Sequence, residues 1–338
     1  MYFNRWFSVV YHYMNAIRNN EDGIPFEIYA THSDPQHMAL QASDVAEVEP
    51  RTSGVEYAQF CADFCRRHEI DIFIPRWNML DISKHLYLFD DIGTEVMVCR
   101  DTALLEQLME KDLFYESIRQ KDIVTIPDYA IASNAEQFRQ AYESLMALGH
   151  KVCFKPCNAE GGMGFRIIDN KRDPLEELFG HALNHISFEE AYRVLSSTET
   201  FPNLMVMELL EGYEYSIDCL ADRNGKLLAA VPRRKAGGRL RLLEQHPELL
   251  KVAEKVAEAY HIPYNYNIQV KYNGEQAKLL EINPRMSGGL HVSCLSGINF
   301  PYLAVKSALG YEIGPLHPQY DILASHIEQP ITIRKSLH

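Results

Sequence analysis

Two oxygen-bearing side chains lie two residues apart near the C-terminus, in a pattern that could hold a hard metal ion. On a β-strand, Glu281 and Asn283 would share one face, while Leu280 and Ile282 would point into the core. Carboxylate and amide oxygens are ligands that suit Mg²⁺, and the following Arg285 adds a cation for an anionic group. An equally weighted alternative is a surface ion pair between Glu281 and Arg285 at a strand end.

Gln269, on the preceding strand, is a third candidate ligand if it faces the same way as Glu281. That condition depends on the length of the connecting loop, because directly opposed residues in a hairpin share a face. A two-residue turn would direct Gln269 away from Glu281, whereas an odd loop, such as residues 273–277, would place them together. The metal-site hypothesis therefore predicts an odd loop, and the alternative leaves Gln269 solvated.

A glycine-rich segment follows a short predicted strand that carries Lys155. Gly161, Gly162 and Gly164 would let main-chain N–H groups turn toward phosphate oxygens, and the lysine would supply charge. The chain has no G-x-x-x-x-G-K-[ST] sequence, so this is not a Walker-type loop. A plain glycine-rich hairpin explains the segment about as well as a phosphate lid.

A run of five cations around two glycines, at residues 233–241, stands out in an acidic chain. We expect a mobile loop that meets an anion, either a terminal phosphate or a substrate carboxylate, with a solvated basic loop as the alternative. Arg233, predicted to be the first residue beyond its strand, is the candidate catalytic cation. Ser287 and His291 follow the candidate metal motif and are candidates for the wall of a substrate pocket.

The order of these features resembles the ATP-grasp superfamily, most closely the branch with the carbamoyl-phosphate synthase large subunit and pyrrolysine-type carboxylate–amine ligases. The resemblance covers nearly the whole chain. Its pieces are, in chain order, Lys111, Lys155-Pro156 with the glycine-rich loop, Met207 to Asp218, Gln269, and Glu281-Ile282-Asn283-Pro284-Arg285.

This resemblance implies a role for each residue. Nucleotide contacts would come from Lys111, Lys155, Gly161, Gly162, Gly164, Glu208, Leu209, Leu210 and Glu214, the last four as adenine hinge and ribose contact. Metal ligands would be Gln269, Glu281 and Asn283, and catalytic cations Arg285 and Arg233. Asp218 shares a strand face with Glu214 and is a weaker candidate, because a solvated face has the same pattern. The implied cofactors are ATP and Mg²⁺, with Mn²⁺ as an alternative ion.

The function that the resemblance implies is ligation of a carboxylate to an amine through an acyl phosphate, with ADP and phosphate released. Phosphoryl transfer needs mainly positioning and charge neutralisation, which lysines, metal ligands and an arginine supply. Two alternatives stay open. One is phosphorylation of bicarbonate or carbamate, as in carbamoyl-phosphate synthase, and the other is a regulatory nucleotide-binding protein without turnover.

Alternating helical and extended signals before residue 100 predict a small doubly wound α/β domain without a dinucleotide fingerprint. Antiparallel strands dominate after residue 204. These patterns together with the resemblance imply the fold class α/β, in which a doubly wound pre-ATP-grasp domain is followed by a two-lobed α+β ATP-grasp domain. The predicted domains are 1–100, 101–203 (the small lobe with the glycine-rich lid) and 204–338 (the large lobe with the metal site).

Bulk composition narrows the class of partner. A formal charge of -13 over 338 residues argues against nucleic acid or an anionic membrane as partner. Seven cysteines, an odd number in a long chain, predict reduced thiols. We found no signal segment or membrane-length apolar run, so we expect a cytoplasmic protein acting on small molecules, with a homodimer as the default assembly.

Overall fold

The structure is a computed structural model that describes residues 1–121, 123–158, 162–173, 175, 179, 184–328 and 330–333. Its strands are β1 (Tyr2–Asn4), β2 (Tyr29–His32), β3 (Val45–Val48), β4 (Ile72–Ile74), β5 (Glu95–Val96), β6 (Tyr129–Ala132), β7 (Val152–Pro156), β8 (Arg166–Ile168), β9 (His185–Ile186), β10 (Leu204–Glu208), β11 (Glu214–Ala221), β12 (Leu227–Lys235), β13 (Arg241–Leu243), β14 (Asn265–Asn273), β15 (Gln276–Asn283) and β16 (Ile322–Ala324).

The helices in the described ranges are α1 (Val10–Arg18), α2 (Met38–Ala42), α3 (Gly54–Arg67), α4 (Met79–Lys84), α5 (Tyr87–Asp90), α6 (Thr102–Met109), α7 (Lys111–Lys121), α8 (Ala135–Ala147), α9 (Phe188–Leu195), α10 (Pro247–Tyr260), α11 (Leu290–Ser293) and α12 (Phe300–Ala308). None of the helices described is long and apolar enough to span a membrane. All seven cysteines are free thiols, as the composition predicts.

The chain forms two compact units. The first comprises Met1–Glu106, Glu214–Gln269 and Ile282–His338, and the second comprises Gln107–Tyr213 and Val270–Glu281. Both units are therefore built from separated stretches of chain. The contiguous domain boundaries at residues 100 and 203 stay predictions.

The first unit begins with a parallel sheet in the order β3-β2-β1-β4-β5, with helices between successive strands. This is the doubly wound α/β architecture that the sequence predicts. Tyr2 pairs with Tyr29 and Phe73 in this sheet. The rings of Tyr2 and Tyr29 pack with Phe64 of α3, and the ring of Tyr2 also stacks on Phe73. The apolar side chains of residues 24–30 predict a strand there, whereas in the structure the strand β2 begins only at Tyr29.

The second unit contains a sheet in the order β6-β10-β7-β8-β9, in which β10 is antiparallel to both β6 and β7. The helix α8 covers this sheet with Phe138, Ala141 and Leu145. The capping-box pattern of residues 133–136 predicts that Ser133 caps this helix. In the structure the cap is the next residue, Asn134, whose side chain accepts a hydrogen bond from the N–H of Gln137. The sheet places Lys155 and Glu208 on neighbouring strands.

A third sheet has the order β15-β14-β11-β12-β13-β16. The long helix α10 packs on β11 and β12 through apolar side chains such as Leu249 and Val256. The sequence predicts a helix from Pro247 to Tyr260, and the structure has the same bounds. Pro247 occupies the first turn, where its missing N–H costs no hydrogen bond. The strands β11, β12 and β15 carry most of the large-lobe candidates.

Candidate functional site

Two lysines lie together in the second unit, at the start of the glycine-rich segment. Lys111 is the first residue of α7, and its buried Nζ donates to the carbonyl of Cys157 over 3.0 Å. Lys155 lies half-buried on β7, and its side chain makes no hydrogen bond or ion pair with the described residues. Burial lowers the pKa of Lys155; the nearby Glu281 carboxylate opposes this shift and the Lys111 ammonium adds to it. The unit therefore brings two lysines and a carboxylate close together.

The glycine-rich segment is described from Gly162 onward, and Gly161 lies outside the described residues. Gly162 and Gly164 have φ of +78° and +71°, in the left-handed region that favours glycine. A Cβ at Gly164 would stand 2.7 Å from Cδ of Pro156, whereas one at Gly162 would meet nothing within 4 Å. Both turns need glycine for conformation, and Gly164 also needs it for space.

This difference predicts unequal effects for two alanine substitutions. Gly162→Ala adds the cost of a left-handed alanine, about 1–2 kcal/mol. Gly164→Ala adds overlap with the Pro156 ring, roughly 1–3 kcal/mol more. Thermal melting monitored by circular dichroism should therefore show the lower midpoint for Gly164→Ala. Equal midpoints would contradict the described approach of Gly164 to Pro156.

The predicted adenine hinge follows β10. The Glu208 side chain is fully buried and does not face outward: it accepts from the N–H of Asp128 (2.9 Å) and from Nδ2 of Asn273 (3.0 Å) and forms an ion pair with Lys278. The N–H of Leu209 donates to the carbonyl of Lys151 over 2.7 Å.

The main chain of Leu210 makes no hydrogen bond within the described part of the chain. Its N–H and C=O groups, rather than the Glu208 carboxylate, are therefore the hinge atoms that remain for a ligand. Sequence reasoning missed Lys278, which looks like an ordinary charged strand residue between Ala277 and Leu279 but is buried against Glu208.

On β15, Glu281 and Asn283 are both half-buried and Ile282 between them is buried. The prediction that Leu280 points into the core is wrong, since Leu279 is the buried leucine and Leu280 is half-buried. Two half-buried residues in succession interrupt the alternation of the strand.

Arg285 lies two residues after the end of β15 and follows Pro284. Its Nη2 donates to Oδ1 of Asn283 over 3.0 Å and its Nη1 donates to the carbonyl of Met286 over 3.3 Å. These bonds hold the guanidinium beside the Asn283 amide. The sequence motif thus forms a local arrangement of a cation and an oxygen donor.

The prediction of an odd loop before this strand is wrong. The strand β14 ends at Asn273 and β15 begins at Gln276, so two residues connect them. In a regular hairpin with that loop, Gln269 would lie opposite Leu280 and face away from Glu281. Only an irregularity in one strand would return both side chains to one face. The role of Gln269 as a metal ligand stays a prediction without support from loop parity.

Arg233 belongs to a buried polar network in the first unit, which we call the Asp218 network: Asp218, Arg233, Asn267, Ser287 and Ser293. The Asp218 carboxylate accepts five hydrogen bonds, two from Arg233 (3.0 and 3.1 Å), one from Asn267 (2.8 Å) and one from each serine (2.6 Å). The side chain of Asp218 is completely buried and that of Arg233 is 7% exposed. The network fixes Arg233 in one orientation.

Two features of the basic run differ from the prediction. Arg233 lies inside β12 rather than beyond the strand, and its guanidinium packs flat on Gly289, where a Cβ would overlap it. The other cations also have partners: Arg234 pairs with Glu244, Lys235 with Glu214, Arg239 with Glu328, and Arg241 donates to the carbonyls of Gly238 and Leu240. The run is a paired strand–turn–strand segment.

Sequence reasoning missed several members of this region. Asn267 and Ser293 complete the Asp218 network, and Tyr13 of α1 donates its hydroxyl to the carbonyl of Ser287. Burial, followed by the negative charge of Asp218, raises the pKa of Tyr13, so its hydroxyl stays protonated as a donor. Asn267 gives no distinct signal in the sequence, because β14 alternates polar and apolar residues along its whole length.

The predicted site residues thus divide between the units. The second unit holds Lys111, Lys155, Gly162, Gly164, Glu208, Leu209, Leu210 and Glu281, and the first unit holds Glu214, Arg233, Gln269, Asn283 and Arg285. Within the second unit, lysines, carboxylate and glycine turns lie together. Within the first, Arg233 is tied to the Asp218 network and Arg285 to Asn283.

Comparison with known protein families and sequences finds matches in both. Residues 200–330 match a family model described as "ATP-grasp in the biosynthetic pathway with Ter operon". The chain is 20% identical over 221 residues to the carbamoyl phosphate synthase large chain of Clostridium acetobutylicum, a match that covers 61% of this chain and 19% of that protein. The chain therefore matches only about a fifth of that relative's length.

Two solved structures share the fold. An ADP complex of N5-carboxyaminoimidazole ribonucleotide synthetase superposes with a TM-score of 0.69 and 11% identity, covering 94% of this chain and 78% of that one. An L-amino acid ligase from Bacillus licheniformis gives a TM-score of 0.62 and 13% identity, covering 91% and 73%. The chain is therefore similar to ATP-grasp proteins over residues 200–330 and to a carbamoyl phosphate synthase large chain over 221 residues, and it shares its fold with the two solved structures.

Proposed function

We propose that the chain is an ATP- and Mg²⁺-dependent ligase that activates a carboxylate as an acyl phosphate and joins it to an amine. The observation that carries this proposal is the group of Lys111, Lys155 and Glu281 at the start of the glycine-rich segment. A half-buried ammonium without a hydrogen-bonding partner is costly, and an anionic polyphosphate would recover that cost. The ADP complex of a structurally similar synthetase supports the same choice of ligand.

The nucleotide would lie along the second unit. Lys111 and Lys155 would contact phosphates, and the turns at Gly162 and Gly164 would turn main-chain N–H groups toward phosphate oxygens. The Leu210 main chain would read the adenine edge, because its N–H and C=O groups are not used within the described chain. Glu208 would support this hinge from inside, through Lys278 and Asp128.

Glu214, on the first unit, is half-buried and forms an ion pair with Lys235. Two oxygens of a carboxylate can accept several hydrogen bonds, so this pairing leaves acceptor capacity for ribose hydroxyls. We retain Glu214 as the proposed ribose contact on that basis.

The donor set on β15 fits a hard divalent cation. Glu281 and Asn283 offer a carboxylate and an amide oxygen from half-buried positions on one strand. The Asn283 oxygen also accepts a hydrogen bond from Arg285, which holds this amide beside the cation. Bound Mg²⁺, or Mn²⁺ as an alternative, would neutralise phosphate charge here, and Gln269 is a further proposed ligand.

The chemistry that these residues suit is transfer of the γ-phosphoryl group to a carboxylate. A carboxylate oxygen attacks the γ-phosphorus, the bond to the bridging oxygen breaks and ADP leaves; the amine then attacks the acyl carbon and phosphate leaves. Arg285 lies beside a proposed metal ligand and would stabilise the negative charge of the transferring group. No side-chain nucleophile is required.

A second candidate is phosphorylation of bicarbonate or carbamate, which the similarity to a carbamoyl phosphate synthase large chain favours. A regulatory protein that binds nucleotide without turnover is the third. Release of phosphate from ATP and Mg²⁺ separates the three when it is measured with bicarbonate alone and with a panel of carboxylates and amines. The ligase proposal expects release only when a carboxylate is present, and amide product when an amine is added.

Tight ATP binding with no release under any pairing would overturn the ligase proposal in favour of a binding protein, and release with bicarbonate alone would favour the second candidate. Lys155→Met should weaken ATP binding about tenfold, the equivalent of one interaction of about 1.4 kcal/mol. The control is Lys151→Met, whose exposed side chain pairs with Glu211 and should leave affinity unchanged.

A further inference from the structure

Three histidine rings meet in the first unit, next to the Asp218 network. His291 of α11 stacks on His12 of α1, with ring centroids 4.7 Å apart and planes inclined by 14°. His326 meets His291 edge-on, at 6.1 Å and 73°. His291 is half-buried and the other two rings are exposed. The group, which we call the histidine cluster, therefore has a shielded centre and an open rim.

The two stacked rings favour the uncharged form. Burial lowers the pKa of His291 to about 4, with His12 and Arg233 acting in the same direction. Burial also lowers the pKa of His12, and His326 adds to this shift. A neutral imidazole has one nitrogen that accepts hydrogen bonds. The central ring, His291, thus offers a hydrogen-bond acceptor rather than a positive charge.

The central ring has an unused polar atom. Nδ1 of His291 is buried and makes no hydrogen bond with the residues that the structure describes. A buried polar atom without a hydrogen bond is unfavourable, so a ligand that donates a hydrogen bond at this position would recover that cost. An amine is the simplest donor of this kind, because each of its N–H bonds can donate.

The neighbouring cation adds a second recognition element. Arg233 donates through Nε and Nη2 to Asp218, Ser287 and Ser293, while its Nη1 makes no hydrogen bond in the described chain. The network and the flat packing on Gly289 hold the guanidinium still. A fixed N–H donor of a guanidinium is suited to a carboxylate oxygen.

We propose that the histidine cluster and Nη1 of Arg233 form the acceptor subsite for a primary amine that also carries a carboxylate. The amine donates to Nδ1 of His291, and its carboxylate accepts from Arg233. This inference rests on the proposed ligase function and names the class of its second substrate. It assigns binding, not proton transfer, to the histidines.

Hydroxylamine separates activation from acceptor binding. At high concentration this small nucleophile traps an acyl phosphate as a hydroxamate and does not require a built acceptor subsite. Two assays with ATP, Mg²⁺ and the activated carboxylate would be compared, hydroxamate formation with hydroxylamine and amide formation with each of the common L-amino acids. The test variant is His291→Phe, which keeps a ring for stacking on His12 and removes the acceptor nitrogen.

We expect His291→Phe to raise the KM for the amino acid about tenfold, the effect of losing roughly 1.4 kcal/mol, and to leave the hydroxamate rate unchanged. His326→Phe, at the exposed rim, should raise the same KM by a smaller factor. His317→Gln, an exposed histidine elsewhere in this unit, is the control and should change neither assay.

The outcomes distinguish the two proposals. No hydroxamate from the wild-type protein with any carboxylate would overturn the proposed ligase function itself. Hydroxamate without amide from any amino acid would overturn the acceptor class. An unchanged amino-acid KM in His291→Phe, or an equal loss in both assays, would overturn the subsite and leave the histidine with a purely structural role.

Discussion

Replacing Glu281 by glutamine is expected to lower Mg²⁺-dependent turnover about a hundredfold or more while leaving the fold intact. The substitution preserves shape and removes the charge that a divalent cation would need, and metal-assisted charge stabilisation contributes several kcal/mol to such reactions. Glu281 is half-buried and glutamine has nearly the same volume, so we expect the free energy of unfolding to change by no more than about 1 kcal/mol. Turnover and thermal melting should be measured on the same preparation.

Glu275→Gln is a matched control for this experiment, because Glu275 is exposed in the turn of the same hairpin. It should retain wild-type turnover at every Mg²⁺ concentration. Equal losses of turnover and melting temperature in Glu281→Gln would contradict the metal-binding role and assign the Glu281 carboxylate a structural role.

Asp218→Asn is expected to have the largest effect on stability. The substitution leaves the Arg233 guanidinium buried without its counter-charge, and breaking a buried ion pair in this way typically costs about 3–5 kcal/mol. It also places an amide among side chains that donated to the carboxylate. In a chain of this size the loss corresponds to a fall in melting temperature on the order of 10 °C.

The control is Asp63→Asn, which breaks an ion pair with Arg66 in which both side chains are more than half exposed. Such pairs contribute about 0–1 kcal/mol, so its melting temperature should hardly change. Replacing both members of the buried pair, Asp218→Leu with Arg233→Met, should be less harmful than Asp218→Asn alone, because no buried charge is left. A single variant that melts like the wild type would contradict the described network.

Local signals in the sequence predict much of the fold. The helix α10 was predicted at both ends, since Pro247 and an amphipathic run of apolar side chains depend only on nearby residues. Ser187 caps α9 by accepting from the N–H of Glu190, as its capping box predicts. Strands such as β13 and β16 have three residues each, which is too few to show alternation, and they pair across about 80 residues of chain.

The candidate site likewise contains residues that local sequence signals predict and residues that they do not. Glu281, Asn283 and Arg285 are neighbours in sequence, so strand parity and charge are enough to single them out. The role of Asp218 was not predictable, because its partners Asn267, Ser287 and Ser293 lie 49 to 75 residues away and only the folded sheet brings them together. Asp218 and Glu214 are four residues apart, so the alternation of a strand predicts that they share one face of the sheet. In the structure Asp218 is buried on that face.

The loop between β14 and β15 illustrates a different limit. Its length is set by where each strand stops pairing, and Asn273-Gly274-Glu275-Gln276 is compatible with turns of two, three or more residues. The structure has the two-residue form, so the parity argument for Gln269 fails although its resemblance-based role is untouched.

Oxygen transfer from the carboxylate substrate tests the central claim most directly. The activated carboxylate, labelled with ¹⁸O in both oxygens, would be incubated with ATP, Mg²⁺ and an amine, and the released phosphate analysed by mass spectrometry. An acyl phosphate route predicts one ¹⁸O atom in each released phosphate, because the attacking carboxylate oxygen stays on phosphorus when the amine displaces it. Phosphate without label, or label in AMP, would contradict activation as an acyl phosphate.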